Sequence, residues 1–469
     1  MRHSSALDTE PVRLRRFGKL RIPFATGLTW LLGAGLLMIC AQIILSSRTI
    51  KYPAALIVAS GAAAIFIVLT NKYPFVLFSV GFSLPFFVQY IFVQRDTQVF
   101  SVTGTFLSVL ALAAIGIATG VIRGGRLRIC PPITLAAVAF LCAGAASLVN
   151  TTDRTLTFIA IEREAELVLV FLILLNAIKE QRHLLSFMRG LYIGFGIECA
   201  IYVIQNILGF SFDILGNTRL EGATDLASGR IGFQRGTFGA SPHTAAEYFA
   251  ALTLLSVGLY LSTKKLRLGI NPLVGIIAGF GCLALAAKRA PLAGYALGFG
   301  AICLLVALFA PWTARRLAPL VAALAIPVLI LLPLLWLRTH QDNEGALEER
   351  MNLTRVAWDM YRANPLVGVG FGTYDTVKRE YLPEDWQGWL YTVHNRYLLI
   401  LAETGSVGFV SLLILYAVIL WIACRGITVI DRDYRPLQIS LVGIFAAFYW
   451  EMLWHMFDSS SREHCCGSS

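Results

Sequence analysis

Apolar runs of about 20 residues recur along almost the whole chain, and each is long enough to cross about 30 Å of hydrocarbon. A soluble protein would carry roughly a quarter charged residues, whereas this chain of 469 residues is 57% hydrophobic and only 14% charged. A segment in lipid must satisfy the hydrogen bonds of its backbone within the protein, as a helix does. The runs lack the alternation of apolar and polar residues that is typical of a membrane barrel. The sequence therefore predicts an all-α polytopic membrane protein.

Hydropathy predicts about 12 to 13 transmembrane helices. The first run is too long for the core of a signal peptide and lacks a cleavage site, so we interpret it as a span. The candidate spans are 24–45, 53–70, 73–94, 100–122, 132–150, 155–178, 184–210, 244–262, 270–287, 290–310, 317–338, 405–424 and 437–456.

One polar segment is far longer than a connection between two spans requires, and such loops are usually functional or disordered. Its aromatic residues and helical pattern argue against disorder. We therefore interpret it as the cap of a site. The predicted regions are an N-terminus at 1–22, a bundle at 23–210, an outward loop at 211–243, spans at 244–338, the large cap loop at 339–393, spans at 394–456 and a tail at 457–469.

The net charge of +11 does not indicate a nucleic-acid partner, because Lys and Arg lie mostly in short connectors, where they set membrane orientation. The basic connectors alternate with segments that then face outward, and the N-terminus falls on the cytoplasmic side. Five cysteines lie inside apolar runs, where cysteine behaves as a small hydrophobe, and no spacing indicates a zinc site. The basic connectors are 123–128, 179–182, 264–267, 315–316, 425 and 432–435.

Residues 344–363 show the periodicity of an amphipathic helix outside the membrane. Pro365 ends this helix, and Gly368, Gly370 and Gly372 provide tight turns. We expect the helix to pack onto the bundle as a lid rather than to act in catalysis. Its apolar face is predicted to comprise Leu347, Met351, Trp358 and Tyr361, opposite Glu348, Arg355, Asp359 and Arg362.

Lys288 and Arg289 occupy a minimal turn between two spans, on the side where basic residues are disfavoured. They are either a snorkelling pair at a helix end or an anion-binding pair, since the guanidinium fork suits a phosphate. Arg230 and Arg235 lie in an outward loop whose glycines let the backbone approach a ligand. Outward arginines without matching acids predict a multiply charged anion such as a diphosphate.

His394 opens an apolar helix at the boundary between water and membrane. A lone histidine is commonly a structural hydrogen-bonding group, but a pKa near 6.5 also suits a base beside an acceptor hydroxyl. Asn395 is a candidate helix cap that positions His394. Glu403 is a candidate partner or gating residue, or a simple carboxylate at a helix end.

Ionisable residues inside predicted spans are functional candidates by default. Here opposite charges lie close in sequence, which favours structural ion pairs. These residues are Glu162, Arg163, Glu164, Glu166, Glu198, Glu451 and His455.

Several short motifs, in a specific order over residues 230–410, resemble the O-antigen ligase and polysaccharide polymerase superfamily of bacterial inner membranes. The N-terminal half is similar only in being a run of spans. The motifs are Arg235-Gly-Thr-Phe-Gly239 with Pro242-His243, Lys288-Arg289-Ala290, residues 355–358 and 364–370, and His394-Asn395-Arg396-Tyr397 with Glu403 and Gly405.

The resemblance implies a glycosyltransferase C-like fold and transfer of a glycan from an undecaprenyl-diphosphate carrier at the periplasmic face. It implies that Arg289, with Lys288 and Arg230 or Arg235, binds the donor diphosphate, and that catalytic His394 meets the acceptor. The acceptor is either lipid A-core, as for a ligase, or another lipid-linked glycan, as for a polymerase. We expect inverting transfer without a cofactor. The sequence shows no paired outward carboxylates at ligand-like spacing, which argues against a metal-dependent transferase. Supporting roles fall to His243, Asn395, Glu403 and Arg355.

Two other functions fit a chain of this class. A lipid-linked oligosaccharide flippase or other transporter would use the arginines as a translocation site, but its sequence should show internal repeats or interrupted helices at the membrane midplane. A membrane scaffold would not need outward arginines. The sequence shows no repeat, which favours the transferase.

Overall fold

The computed structural model describes residues 73–83, 128–209, 211–212, 218–219, 234, 236–237, 242–262, 271–322, 344–382, 386, 392–393 and 395–454. Helices account for most of these residues. The helices are α1 (Tyr73–Ser83), α2 (Pro131–Ala146), α3 (Arg154–Ala177), α4 (Gln181–Leu208), α5 (Pro242–Leu261), α6 (Pro272–Ala286), α7 (Arg289–Phe309), α8 (Glu344–Ala363), α9 (Tyr374–Val377), α10 (Arg396–Val429) and α11 (Arg435–Trp454).

Short elements complete the described part of the chain. The two-residue strands β1 (Ser211–Phe212) and β2 (Thr218–Arg219) pair antiparallel, with Ser211 opposite Arg219. Single 3₁₀ turns are Ser147–Val149, Pro311–Thr313, Lys378–Tyr381 and Arg432–Tyr434.

Five of the described helices are long and apolar enough to cross a membrane, which confirms the prediction of an all-α polytopic membrane protein. The predicted spans that fall in residues 1–72 and 84–127, and most of 317–338, lie outside the described residues. The five helical segments are Pro131–Val149, Gln181–Leu208, Pro242–Leu261, Arg289–Phe309 and Arg396–Val429.

The interface between α7 and α11 is built from small residues. A Cβ atom added at Gly298 would lie 2.6 Å from the carbonyl oxygen of Gly443 and 3.2 Å from Cβ of Ala447. Helices associate in lipid through close backbone packing because hydrophobic burial contributes little there. The pairing of α7 with α11 therefore depends on this small-residue contact.

Basic connectors meet at one end of the bundle, which we call the basic end. Gln181 donates to the hydroxyl of Tyr434 at 3.0 Å, and Arg435 donates to the carbonyl of Phe309 at 3.1 Å. The guanidinium of Arg432 lies 4.1 Å from the ring centre of Trp312. We call the opposite end the cap end, because helix α8 and the loop after it attach there.

Candidate functional site

Within the arginine loop, residues 230–239, Gly236 and Thr237 are held by two buried polar side chains of α4. The carboxyl of Glu198 accepts from the backbone N–H of Thr237 at 2.8 Å and from its hydroxyl at 2.7 Å. Gln205, two turns further along α4, donates to the carbonyl of Gly236 at 2.9 Å. All three side chains concerned are essentially buried. Because buried polar groups need partners, these bonds fix residues 236 and 237 against the bundle.

A sharp reversal between α6 and α7 carries the predicted basic pair. Ala287 takes a left-handed conformation with φ 48°, although a glycine would fit there without steric cost. Lys288 is the N-cap of α7 and is buried, while Arg289 begins the helix and is half-buried. An energetically costly turn kept at this position is consistent with a constrained, functional placement of the pair.

Residues 364–372, which follow α8 within the predicted cap and are called the cap loop from here on, are joined to α10 through backbone hydrogen bonds. Gly405 interrupts α10 with φ 66° and ψ −167°, so groups on both sides of the break lack partners within the helix. The carbonyls of Ala402 and Glu403 accept from Val369 and Gly370, at 3.1 and 3.0 Å. The N–H groups of residues 406 and 407 donate to the carbonyls of residues 365 and 366, at 2.8 and 3.2 Å.

The cap loop also reaches the end of the segment Pro131–Val149. Phe371 donates its backbone N–H to the hydroxyl of Ser147 at 2.9 Å. Asn150 donates to the carbonyl of Gly368 and to the side chain of Asn364, both at 3.1 Å. Gly368, Gly370 and Gly372 all have positive φ, as expected for the predicted turns.

The side chain of Glu403 in α10 also bonds to the cap. Its buried carboxyl accepts from the backbone N–H of Tyr374 at 3.0 Å. The hydroxyl of Tyr374 donates to the carbonyl of Leu353 in α8 at 3.2 Å, and burial raises the pKa of that hydroxyl above its usual range. Glu403 lies two residues before the break at Gly405, at the end of the first part of α10.

The junction between cap and α10 flanks His394. The hydroxyl of Thr392 donates to Asp375 at 2.8 to 2.9 Å, and Val393 is buried. Asn395 caps α10, accepting from residues 397 and 398 at 3.0 and 3.1 Å, as predicted. His394 itself lies outside the described residues.

Helix directions place the end of α4 and the starts of α7 and α10 at the cap end, because α4 begins and α7 and α10 end at the basic end. Contacts between helices connect these segments. The carboxyl of Glu451 in α11 approaches Gly294 of α7, within two turns of Arg289, and Arg396 forms an ion pair with Glu164 of α3 at 3.3 Å. The connecting ring pairs are Tyr202 with Phe249 (5.0 Å), Phe280 with Tyr295 (5.5 Å), Tyr416 with Tyr449 (5.0 Å) and Tyr397 with Tyr416 (6.4 Å).

The remaining predicted site residues are only partly accounted for. His243 is the second residue of α5 and is half-buried, and Arg355 is exposed on α8. Arg230 and Arg235 lie outside the described residues, although both neighbours of Arg235 are described. Among the described residues, no three His, Cys, Asp or Glu side chains are grouped as metal ligands would be.

Two sequence-based expectations are wrong. The face of α8 that packs on the cap comprises Leu353, Val356, Ala357 and Met360, whereas Met351 and Trp358 of the predicted face are exposed. Arg362, predicted on the side opposite Trp358, instead has its guanidinium 5.6 Å from the centre of that ring. The first error arose because sequence spacing does not reveal which distant segment a helix face meets, and the second because residues four apart share a helix face.

Fold and site together define a polytopic membrane protein in which polar segments are fastened over one end of a helix bundle. Residues 273–413 match the family model described as O-Antigen ligase. The match confirms the resemblance for these residues, which are similar to the O-antigen ligase and polysaccharide polymerase superfamily of membrane glycosyltransferases. It covers α7, the cap and the broken part of α10, but not the arginine loop or Glu198. No curated protein matches the chain.

Proposed function

We propose that the protein transfers a glycan from an undecaprenyl-diphosphate carrier to an acceptor sugar at the periplasmic face of the bacterial inner membrane. The proposal is carried by one observation. The segments that bear the predicted donor and acceptor residues are far apart in sequence, and each is held by hydrogen bonds at the cap end. The arginine loop is held by Glu198 and Gln205, and the residues around His394 are held by Asp375 and Asn395.

The donor diphosphate would bind to Arg289, with Lys288 and Arg230 or Arg235. A sugar linked to a diphosphate is already activated, so cations that stabilise the departing negative charge can supply most of the catalysis without a metal. Arginine suits this role because its fork offers two parallel donors to phosphate oxygens. The reversal at Ala287 supports the assignment because it brings a basic pair to the end of a short turn at a steric cost.

The acceptor hydroxyl would lose its proton to His394 as its oxygen attacks C1 of the donor sugar. The bond between C1 and the diphosphate oxygen breaks in the same displacement, and the diphosphate leaves with the bonding electron pair. A single displacement inverts the configuration at C1. The base contributes a factor of about 10² to 10⁴, which is smaller than the electrostatic contribution. His243, Glu403 and Arg355 would support the site without taking part in bond changes.

The break in α10 bears on the transporter alternative. Interrupted helices in transporters form substrate sites near the membrane midplane. In α10 the break lies at Gly405, close to the cap, and residues 406–429 beyond it extend about 36 Å at about 1.5 Å per residue. The break is filled by backbone of the cap loop rather than left open to a substrate. This arrangement supports the transferase.

Transfer by the purified, full-length protein in lipid nanodiscs tests the proposal. The substrate is native lipid-linked repeat, with and without lipid A-core, in the presence of a chelator. Arg289→Lys keeps the positive charge but loses the two parallel donors of the guanidinium. Arg289→Ala removes the guanidinium, and His394→Ala removes the imidazole. Arg425→Ala, at the basic end of α10, is the matched control. We expect at least about a hundredfold loss for Arg289→Ala and His394→Ala, and none for the control.

The products separate the remaining alternatives. A ladder of longer lipid-linked glycans identifies a polymerase, and a single modified core band identifies a ligase. Activity that persists in both alanine variants would contradict the site assignment. If no acceptor is modified and lipid-linked repeats instead cross the bilayer, the protein is a transporter.

A further inference from the structure

The cap helix α8 has a second apolar stripe that no described part of the protein covers. Met351 is 59% exposed and Trp358 is 41% exposed. These two residues are seven positions apart, which places them on the same face, two turns from each other. A third exposed apolar side chain, Leu366 at 67%, follows just beyond the end of the helix.

The stripe lies roughly opposite the face through which α8 packs. That inner face contributes Val356, Ala357 and Met360 to a buried cluster with Val369 and Tyr374. The outer face combines these apolar side chains with Arg355 and Arg362, which follow Met351 and Trp358 at a spacing of four residues. Large apolar side chains interleaved with arginines are the pattern of a helix that lies in a membrane interface.

The stripe leads directly into the surface that α10 presents to lipid. The carbonyl of Leu366 accepts from the N–H of Val407, and Val407 and Val410 are both about half exposed on the membrane-spanning part of α10. The hydroxyls of Tyr361 and Ser406 also lie 3.1 Å apart. Since about 30 Å of hydrocarbon is spanned within residues 406–429, this end of α8 lies at the membrane boundary.

The side chains beside the stripe suit a lipid headgroup region. The guanidinium of Arg362 lies 5.6 Å from the ring centre of Trp358, and the rings of Trp358 and Tyr361 lie 5.2 Å apart. Arg355 is exposed on the same flank. Tryptophan and tyrosine concentrate at membrane interfaces, and arginine next to an apolar stripe pairs with lipid phosphates.

We propose that α8 lies in the membrane interface, with Met351, Trp358 and Leu366 against acyl chains and Arg355 and Arg362 at the level of the lipid phosphates. The partner is the phospholipid bilayer that contains the protein. The cap is then anchored on two sides, by its bonds to α10 and by the bilayer. This lipid contact is independent of any chemistry at the cap end.

Photo-crosslinking of the full-length protein in nanodiscs of phosphatidylethanolamine and phosphatidylglycerol tests the inference. A diazirine amino acid is placed at Met351 or Trp358, and lipid adducts are measured by mass spectrometry. Val410, in the span, is the positive control. Arg379 is the negative control, because it is exposed on the turn Lys378–Tyr381, which packs against the inner face of α8. Thr354, which borders the stripe, replaces Trp358 if that variant does not fold.

We expect lipid adducts at both stripe positions, comparable to Val410 and at least about tenfold above Arg379. Adducts at Val410 alone would overturn the inference, because α8 would then lie away from the bilayer. Crosslinks from Met351 or Trp358 to a second copy of the chain would also overturn it, and would assign the stripe to an oligomer contact.

Discussion

The cap loop and the arginine loop are both fastened to the bundle, but by different means. Four backbone hydrogen bonds join the cap loop to α10 at the break around Gly405. In the described part of the arginine loop, two side chains of α4, Glu198 and Gln205, instead bond to Thr237 and Gly236. The cap loop lies within the O-antigen ligase match, and the arginine loop lies outside it.

The difference predicts how each attachment responds to substitution. A backbone attachment is insensitive to most side-chain changes but sensitive to a residue that cannot adopt the required dihedral angles. A side-chain attachment fails with one residue, because a buried donor left unsatisfied costs about 1 to 3 kcal/mol. Four substitutions test this contrast.

Gly405→Ala should have the largest effect. Its φ of 66° is unfavourable for alanine, and the new Cβ atom would overlap the backbone of Leu366 and Val367. We expect destabilisation of about 3 kcal/mol or more, measured as thermal unfolding in detergent. Gly300→Ala in α7 is the matched control, since a Cβ atom there meets nothing within 4 Å. An equal effect of both substitutions would show that the break is not a structural requirement.

Glu198→Ala should have the next largest effect, because it removes the acceptor for two buried donors of Thr237. We expect a loss of about 2 to 4 kcal/mol in stability and at least about a tenfold rise in KM for the lipid-linked donor. Glu198→Gln retains one oxygen acceptor and should recover part of the KM effect. A fall in kcat at unchanged KM would contradict a role in positioning the donor loop.

Thr237→Val should be milder, since it removes the hydroxyl but keeps the backbone N–H that donates to Glu198. Because the lost bond is to a buried carboxyl, we expect about 1 to 2 kcal/mol. Thr237→Ser, which restores the hydroxyl, should return stability and donor KM to near the wild-type values. If serine fails to rescue the loss, the methyl packing rather than the hydrogen bond holds this loop.

Asn150→Ala should have the smallest effect. Its amide bonds to Asn364 and Gly368 are side-chain contacts that add to a loop already held by backbone bonds, and they are at least partly exposed. We expect less than about 1 kcal/mol and unchanged transfer. A loss as large as that of Glu198→Ala would mean that the cap, too, depends on single side chains.

Much of the cap was predictable from local sequence. Residues 344–363 form the predicted helix, which ends before Pro365, and the three glycines after it adopt positive φ. Asn395 caps α10 as its residue type indicates. These features depend on groups only a few residues apart, so local rules of capping and turn formation suffice to identify them.

The side-chain attachment of the arginine loop was not predictable. The sequence signalled only that Glu198, a carboxyl in an apolar run, must find a partner in the bundle. Its partner Thr237 lies 39 residues away on another segment, and no local pattern joins the two. The packing face of α8 was mistaken for a similar reason, because its two apolar stripes are indistinguishable by periodicity alone.

The sequence by itself determined the membrane-spanning helical class and the resemblance of residues 273–413 to O-antigen ligases, because hydrophobic length and short ordered motifs are properties of the chain. Only the tertiary structure decided that Gly405 breaks α10, that cap backbone fills the break, and that Glu198 holds the arginine loop. Each of these requires a buried backbone or side-chain group to find its partner on a distant segment. That partner is selected by how the helices pack.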